Sequence, residues 1–306
     1  MKILFTGASS FTGYWFAQEL TAAGHHVVAP LRGAKEAYSG VRGERVKRLA
    51  KIVEILAPAP FGEKDFRAIA ESESFDLLCH HAARVTDYRS PDFDAVAALA
   101  ENTRSLPGLL RRVRERGLKG MVLTGSVFEA DEGRGTEPLR AFSPYGLSKG
   151  LTAHIVRYWC GVIGVPLGKF VIPNPFGPYE ERRFCTYLID TWRGGKPASI
   201  STPRYVRDNI HVDLLAKVYA AFVGGTAGGP EFAKLAPSGY VESQGEFAER
   251  YAREVGKRLG LAAEVRLMEQ TDFAEPLVRT NTDKIDGARL GWSEATAWAG
   301  VADYYR

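Results

Sequence analysis

With 306 residues, 45% of them hydrophobic and 25% charged, the chain can bury a full core as one large domain or as one domain with a smaller lobe. Its net charge of +4 is spread along the sequence apart from a run at Arg111, Arg112, Arg114, Arg116 and Lys119. No recognition module accompanies that run, which argues against nucleic-acid binding and suits a small polyanion such as a dinucleotide. No stretch approaches the ~20 apolar residues of a membrane span, and no leader pattern precedes the first strand. Cys79, Cys160 and Cys185 lack paired or metal-ligand spacing, so a cytoplasmic protein with buried thiols and no metal is expected.

The opening stretch organises the rest. Residues 2–6 are a short apolar run, 7–13 a turn with small residues at its corners, and 14–23 a helix. Gly7 and Gly13 let the backbone approach a pyrophosphate, and the unpaired first-turn N–H groups of the helix point at it. Ser10 stands where a third glycine would complete Gly-x-x-Gly-x-x-Gly. Further strands are expected at 26–30, 51–56, 75–81 and 120–124, with 31–44 as a loop or weak helix. Helices are expected at 65–72 and across 92–116, where Pro107 is a break. Near-continuous apolar strands separated by helices predict an α/β fold: a Rossmann-type doubly wound parallel sheet.

Residues 128–144 read as a polar loop, 145–160 as a helix and 166–172 as a strand. Beyond this the alternation weakens. A loop is expected at 176–183, helices at 184–193, 208–222, 244–260 and 281–290, a strand at 264–267 and a closing helix at 293–304. Residues 1–173 are thus assigned mainly to the dinucleotide-binding domain, and 174–306 to a small C-terminal substrate-binding lobe with segments returning to it. The site is expected where the strands end.

Tyr145 and Lys149 lie four apart on one helical face. An ammonium stabilises a phenolate, so Tyr145 can exchange a proton near neutral pH despite an unperturbed pKa of ~10. Thr124, ending a strand, can add a hydroxyl to the same carbonyl or alcohol oxygen. Three such groups beside a nicotinamide suffice for hydride transfer coupled to proton transfer.

On these residues the chain resembles the extended short-chain dehydrogenase/reductase family, in its NAD-dependent epimerase/dehydratase branch acting on nucleotide sugars. The matching pieces run nearly the whole length: residues 6–13, 76–83, Asn102, Thr124, 145–149, 174–178, 207–213 and 290–292. The resemblance implies Tyr145 as acid/base, Lys149 as the holder of the nicotinamide ribose, and Thr124 as the group binding the reacting oxygen. It assigns Gly7, Ser9, Ser10, Phe11, Thr12, Gly13, Ala82, Ala83 and Ile172, with Tyr145 and Lys149, to the cofactor. Thr124, Ser126, Asn174, Arg182, Arg183 and Arg207 fall on the side of a nucleotide-diphosphate sugar. Enzymes of this kind are often dimers through a bundle containing the Tyr145 helix, which admits a homodimer.

Three departures sharpen the reading. Leu31 replaces the acidic residue that usually ends the second strand, and Arg32 follows it, which favours NADP over NAD through a charge-assisted fork to a 2′-phosphate. The Gly-Asp step after the third strand is missing, with Asp65 as a displaced substitute. Gly125 and Ser126 stand where 4,6-dehydratases carry an Asp-Glu pair, so dehydration needs Glu129 or Asp131 to be brought in by the loop. Reduction of a 4-keto sugar with NADPH is therefore expected, with 4-epimerisation on retained NAD+ a close alternative. A cofactor-binding regulator or scaffold, and a reductase of non-nucleotide carbonyl compounds, are the other readings. The intact Thr124, Tyr145 and Lys149 set argues against the first, and the arginines and Asn174 against the second.

Overall fold

The computed structural model describes residues 1–136, 138–271 and 275–306; Glu137, within the loop expected at 128–144, lies outside them. The chain divides into two compact units. The first comprises Met1–Glu132, Arg140–Ile172 and Ala216–Leu235, and the second Gly133–Leu139, Pro173–Leu215 and Ala236–Arg306.

In the first unit the strands β1 (Lys2–Thr6), β2 (His26–Pro30), β3 (Glu54–Leu56), β4 (Leu77–His80), β5 (Gly120–Ser126) and β6 (Leu167–Ile172) form one sheet with the strand Phe232–Leu235. From edge to edge the order is Phe232–Leu235, β6, β5, β4, β1, β2, β3, and every pairing is parallel. This is the doubly wound arrangement expected, and it reverses direction between β1 and β4, where such folds place their ligands. The strand Phe232–Leu235 is an addition that the sequence reading missed.

The helices are α1 (Phe11–Ala22), α2 (Gly40–Leu49), α3 (Lys64–Ser72), α4 (Ala95–Asn102), α5 (Leu106–Glu115) and α6 (Pro144–Ile163). Strand residues alternate between two helical layers. Leu4, Leu78, Met121, Leu123 and Leu167 pack with Leu106, Leu110, Val156 and Cys160 of α5 and α6. On the opposite face Phe170 and Phe5 meet Phe16 of α1 and Tyr219 of the helix Val212–Thr226. The expected break near Pro107 is present: α4 ends at Asn102, and Pro107 falls in the first turn of α5. The loop or weak helix expected at 31–44 is a loop that enters α2 at Gly40, and the charged residues of α2 obscure a buried edge of Arg45, Val46 and Leu49. That helix shortens the third strand to Glu54–Leu56.

The second unit is built around the strand Val206–His211, which pairs antiparallel with Tyr240–Ser243 and parallel with Asn174–Phe176 and Val278–Arg279. Residues 208–211, expected as the start of a helix, therefore belong to a strand, and the helix begins at Val212. The polar Asp208 misled the reading; it is buried because its carboxylate accepts the backbone N–H of Gly239 at 2.6 Å and of Asn281 at 3.1 Å. The helix expected at 281–290 is also replaced: Asp283–Lys284 pairs with Pro237–Ser238, and only Ala288–Leu290 makes a helical turn. The helix Gln244–Tyr251 continues into a wider turn over Ala252–Gly256. Phe176, Leu188, Ile189, Trp192, Phe247, Tyr251 and Trp298 make the core of this unit. Among the described residues no helix is long and apolar enough to cross a membrane.

Candidate active site

The turn between β1 and α1 is closed by its own side chains. Ser10 caps α1: its Oγ accepts the N–H of Gly13 at 3.1 Å and donates to the carbonyl of Gly7 at 2.9 Å. Gly7 stands at φ +82°, and a Cβ there would lie 2.8 Å from the backbone nitrogen of Ala82. The turn and the end of β4 are thus in backbone contact, which only glycine permits. A cradle this tight, at the N-terminus of a helix, fits the pyrophosphate of a dinucleotide. Thr6 Oγ1 secures the other wall by accepting the N–H groups of His81 at 3.1 Å and Ala82 at 3.0 Å.

His81 is the junction of the site. Its Nε2 lies 3.0 Å from Ser10 Oγ and 3.1 Å from Thr12 Oγ1, and its Nδ1 lies 2.9 Å from Thr124 Oγ1. The ring stacks on Phe5 and meets the edge of Phe16. Burial, and then the nearby Lys149 charge, push its pKa down to about 3, so it is a neutral imidazole joining three hydroxyls. The expected cofactor residues Ser10 and Thr12 therefore turn their side chains inward, and Thr124 presents its hydroxyl to an imidazole. Strand alternation was the signal for His81: next to the inward His80, it had to face the α1 layer. His80 itself is held by the carbonyl of Asn102 at 2.9 Å and stacked on Phe61.

α6 begins at Ser143, whose Oγ accepts the N–H of Gly146, with Pro144 in the first turn. This start sets Tyr145 in an aromatic pocket, edge-on to Tyr88, Phe93 and Phe128. One turn on, Lys149 is 5% exposed and its Nζ donates to the Thr124 carbonyl at 2.5 Å. Burial lowers the Lys149 pKa to about 8; Glu129 opposes that shift and Lys169 adds to it. The structure thus joins Lys149 to Thr124 through the backbone, not through the threonine hydroxyl.

Beneath the end of β5 lies an ionic cluster that sequence reasoning did not find. Glu129 is fully buried; its Oε1 accepts the Ser126 N–H at 2.7 Å and its Oε2 takes Lys169 Nζ at 2.6 Å. Lys169 also reaches Glu132 at 2.8 Å, and Lys234 reaches the other oxygen of Glu132 at 3.1 Å. A Cβ at Gly125 would sit 2.9 Å from Lys169 Cε and 3.0 Å from Glu129 Oε1. An aspartate at that position would require the side-chain ends of Lys169 and Glu129 to shift. Glu129, held at both oxygens, is not a stand-in for it, which corrects the expectation that the loop could deliver it. Asp131 is exposed.

The rim near β2 also differs from expectation. Leu31 is buried, with its backbone bonded to Leu56 and Ala59. Arg32 is exposed and lies 3.8 Å from Glu101, which Arg84 also binds. The guanidinium that reaches the glycine turn is Arg42 of α2, donating to Ser9 Oγ at 2.8 and 3.1 Å while stacked over Tyr38. No spacing motif announced it, because it depends on the packing of α2. Arg45 donates to the Ser9 carbonyl at 3.1 Å from full burial. Asp65 lies exposed in the first turn of α3, where it complements the helix dipole.

In the second unit, Asn174 bonds Asn209, Arg182 pairs with Asp190 on the surface, and Arg183 precedes the helix Phe184–Arg193 without a side-chain cap bond. Arg207 is buried, stacked over Tyr205 and paired with Glu275 at 2.9 Å. Each of these candidates has an internal partner.

The sequence model of the NAD dependent epimerase/dehydratase family matches residues 3–231. The chain belongs to that family of enzymes, in agreement with its fold and glycine turn. Among solved structures it is similar to a UDP-glucuronic acid 4-epimerase from Bacillus cereus, at 18% identity and a TM-score of 0.73 over 99% of this chain and 98% of that one. A UDP-glucose-4-epimerase from Stenotrophomonas maltophila matches at 18% identity and a TM-score of 0.74, over 99% and 97%. A dTDP-glucose 4,6-dehydratase from Streptomyces venezuelae matches at 20% and 0.70, over 100% and 97%. These likenesses establish the fold over the full length.

Proposed function

We propose that the chain is a 4-epimerase of a nucleoside-diphosphate sugar working on a bound nicotinamide dinucleotide. The observation that carries this reading is the Tyr145 and Lys149 pair beside a β5 end where Gly125 supplies no carboxylate and is packed by Lys169 and Glu129. The neighbours named above are two 4-epimerases and a dehydratase, which moves the preference from 4-keto reduction to epimerisation.

The dinucleotide, when bound, supplies a hydride acceptor that later becomes the donor. Tyr145 takes the proton of the sugar 4-hydroxyl as hydride leaves C4, and returns it once the 4-keto sugar has turned its other face. Lys149 holds the nicotinamide ribose and stabilises the phenolate. Thr124 and Ser126 orient the sugar oxygen. Asn174, Arg182, Arg183 and Arg207 are proposed for the nucleotide and diphosphate, and would have to exchange their present partners for phosphate oxygens. The remaining cofactor assignments, Ser9, Phe11, Ala83 and Ile172 among them, belong to the same proposal.

The test is incubation of the purified protein with UDP-glucose, UDP-glucuronic acid and dTDP-glucose, and chromatographic separation of the C4 epimers. Interconversion is expected, and Tyr145→Phe should lower it by ~100-fold or more while leaving dinucleotide binding intact. Absence of interconversion with all three, or full turnover in Tyr145→Phe, overturns the reading.

A second reading, reduction of a 4-keto sugar with NADPH, is favoured by the β2 rim. Buried Leu31 offers no carboxylate to a ribose diol, whereas Arg42 and Arg32 offer guanidinium groups to a 2′-phosphate. Under this reading Arg42→Ala weakens NADPH about tenfold and leaves NADH unchanged in a fluorescence titration.

A homodimer is supported by Leu147, Leu151, Tyr158 and Val162, exposed apolar side chains along one face of α6. Three buried, unpaired cysteines suit a reducing compartment such as the cytoplasm. Light scattering of the wild type against Tyr158→Asp tests the dimer.

A further inference from the structure

Glu129 lies where nothing in the proposed chemistry requires a carboxylate. It is wedged between two glycines: its Oε1 is 3.0 Å from the Cβ position of Gly125, and its Cβ is 3.8 Å from that of Gly150, the neighbour of Lys149 on α6. Both oxygens are engaged, by the Ser126 N–H and by Lys169. Burying a carboxylate costs several kcal/mol unless it is paired and bonded, and here both conditions are met. We propose that Glu129 is a positioning residue for the proton step: together with Lys169 it sets the charge of the Lys149 ammonium, and through it the pH range in which Tyr145 works. The proposal rests on the roles given above to Tyr145 and Lys149.

Among the described residues, charged groups reach this cluster from each packed element. Lys149 belongs to α6, Lys169 to β6, Glu132 to the loop after β5 and Lys234 to the strand Phe232–Leu235. His80 and His81 of the β4 end face Lys149 as neutral rings. Glu129 and Glu132 thus stand with Lys149, Lys169 and Lys234 among the described residues, and Lys149 donates to the Thr124 carbonyl. Burial works against the Lys169 ammonium, but Glu129 and Glu132 outweigh it and hold the Lys169 pKa above its ordinary value. Lys169 stays charged, so Glu129 is the anion that keeps its neighbour from driving the proton off Lys149. Removing Glu129 should make Lys149 lose its proton at lower pH, and removing Lys169 should do the reverse.

The experiment follows Lys149 by 13Cε NMR in lysine-labelled protein, its resonance assigned from Lys149→Met, alongside the pH profile of turnover. Glu129→Gln keeps an acceptor for the Ser126 N–H and removes the charge. It is expected to lower the Lys149 midpoint and the alkaline limb of turnover together by about one pH unit, whereas Lys169→Gln raises both. A structural role alone would reduce the amount of folded protein and leave both midpoints in place. A folded Glu129→Gln with an unmoved midpoint overturns the proposal, as does a midpoint that moves without the limb. If Glu129→Gln does not fold, Lys169→Gln decides by the same criteria; if neither folds, the cluster is structural and the proposal is overturned. The midpoint needs no substrate, so failure of the catalytic reading shows separately, as full turnover in Tyr145→Phe.

Discussion

The two faces of β5 at its C-terminal end solve the same problem with opposite chemistry. Toward α1, Thr124, Ser10 and Thr12 meet one neutral imidazole, His81. Toward α6, Lys169 pairs with Glu129 and Glu132, and the Lys149 ammonium donates to the Thr124 carbonyl. Neutral groups tie loop to strand without a field, so the glycine turn is held in one shape whatever the pH near neutrality. Charges hold less specifically but act at a distance, and Tyr145, proposed above as the acid/base, stands on α6, the helix that carries Lys149. Shape is assigned to one face and proton affinity to the other.

Substitutions can break that division, beginning with the largest effect. Lys149→Met keeps the volume and removes the charge, and is expected to lower turnover by roughly 1000-fold, about 4 kcal/mol of barrier, with thermal unfolding little changed. Equal turnover at alkaline pH would mean that the charge is not what Lys149 contributes. Gly125→Asp should cost about 3 kcal/mol of stability, because the new carboxylate is buried beside Glu129 in space taken by Lys169. Unchanged stability in that variant would show that Lys169 and Glu129 yield to the new side chain. His81→Leu leaves three hydroxyls without their imidazole and should cost about 2 kcal/mol in urea unfolding. It should also weaken dinucleotide binding while leaving the alkaline limb of turnover where it is. A limb that moved would show that the two faces are not independent.

What the sequence could convey divides along similar lines. The β1 turn, the parallel sheet and the Tyr145 and Lys149 spacing were legible because each depends on neighbours within about one helical turn or one strand. The second unit was legible in its helices at 184–193, 244–260 and 293–304 but not in its sheet: the strand Val206–His211 carries Asp208 inward because backbone N–H groups from residues 239 and 281 satisfy it, and no local pattern encodes such distant donors. Arg32 follows β2 in sequence, but the guanidinium groups at Ser9 come from Arg42 and Arg45 of α2. Glu129 was read as a spare loop carboxylate because its cation, Lys169, sits forty residues away on the neighbouring strand. Residues whose roles arise from tertiary pairing stayed hidden, and those set by local geometry did not.

Acid titration gives the smallest effect and the finest division. Burial depresses His80 to about 4 and His81 to about 3 in the first unit, and His211 to about 3 in the second. Each is neutral when folded and takes a proton near pH 6.5 when unfolded, so its contribution is complete above that pH and is lost as pH falls toward the folded value. Within that window each histidine makes stability fall by roughly 1.4 kcal/mol per pH unit. Glu180 acts in the opposite sense, since burial raises its pKa to about 8 and the folded state holds its proton where the unfolded state has released it. Between pH 6.5 and 5 the net slope should therefore approximate two histidines, and His81→Gln should about halve it. Urea unfolding at pH 6.5, 5.7 and 5.0 would measure this, and an unchanged slope in His81→Gln would mean that the imidazole joining the three hydroxyls is already protonated.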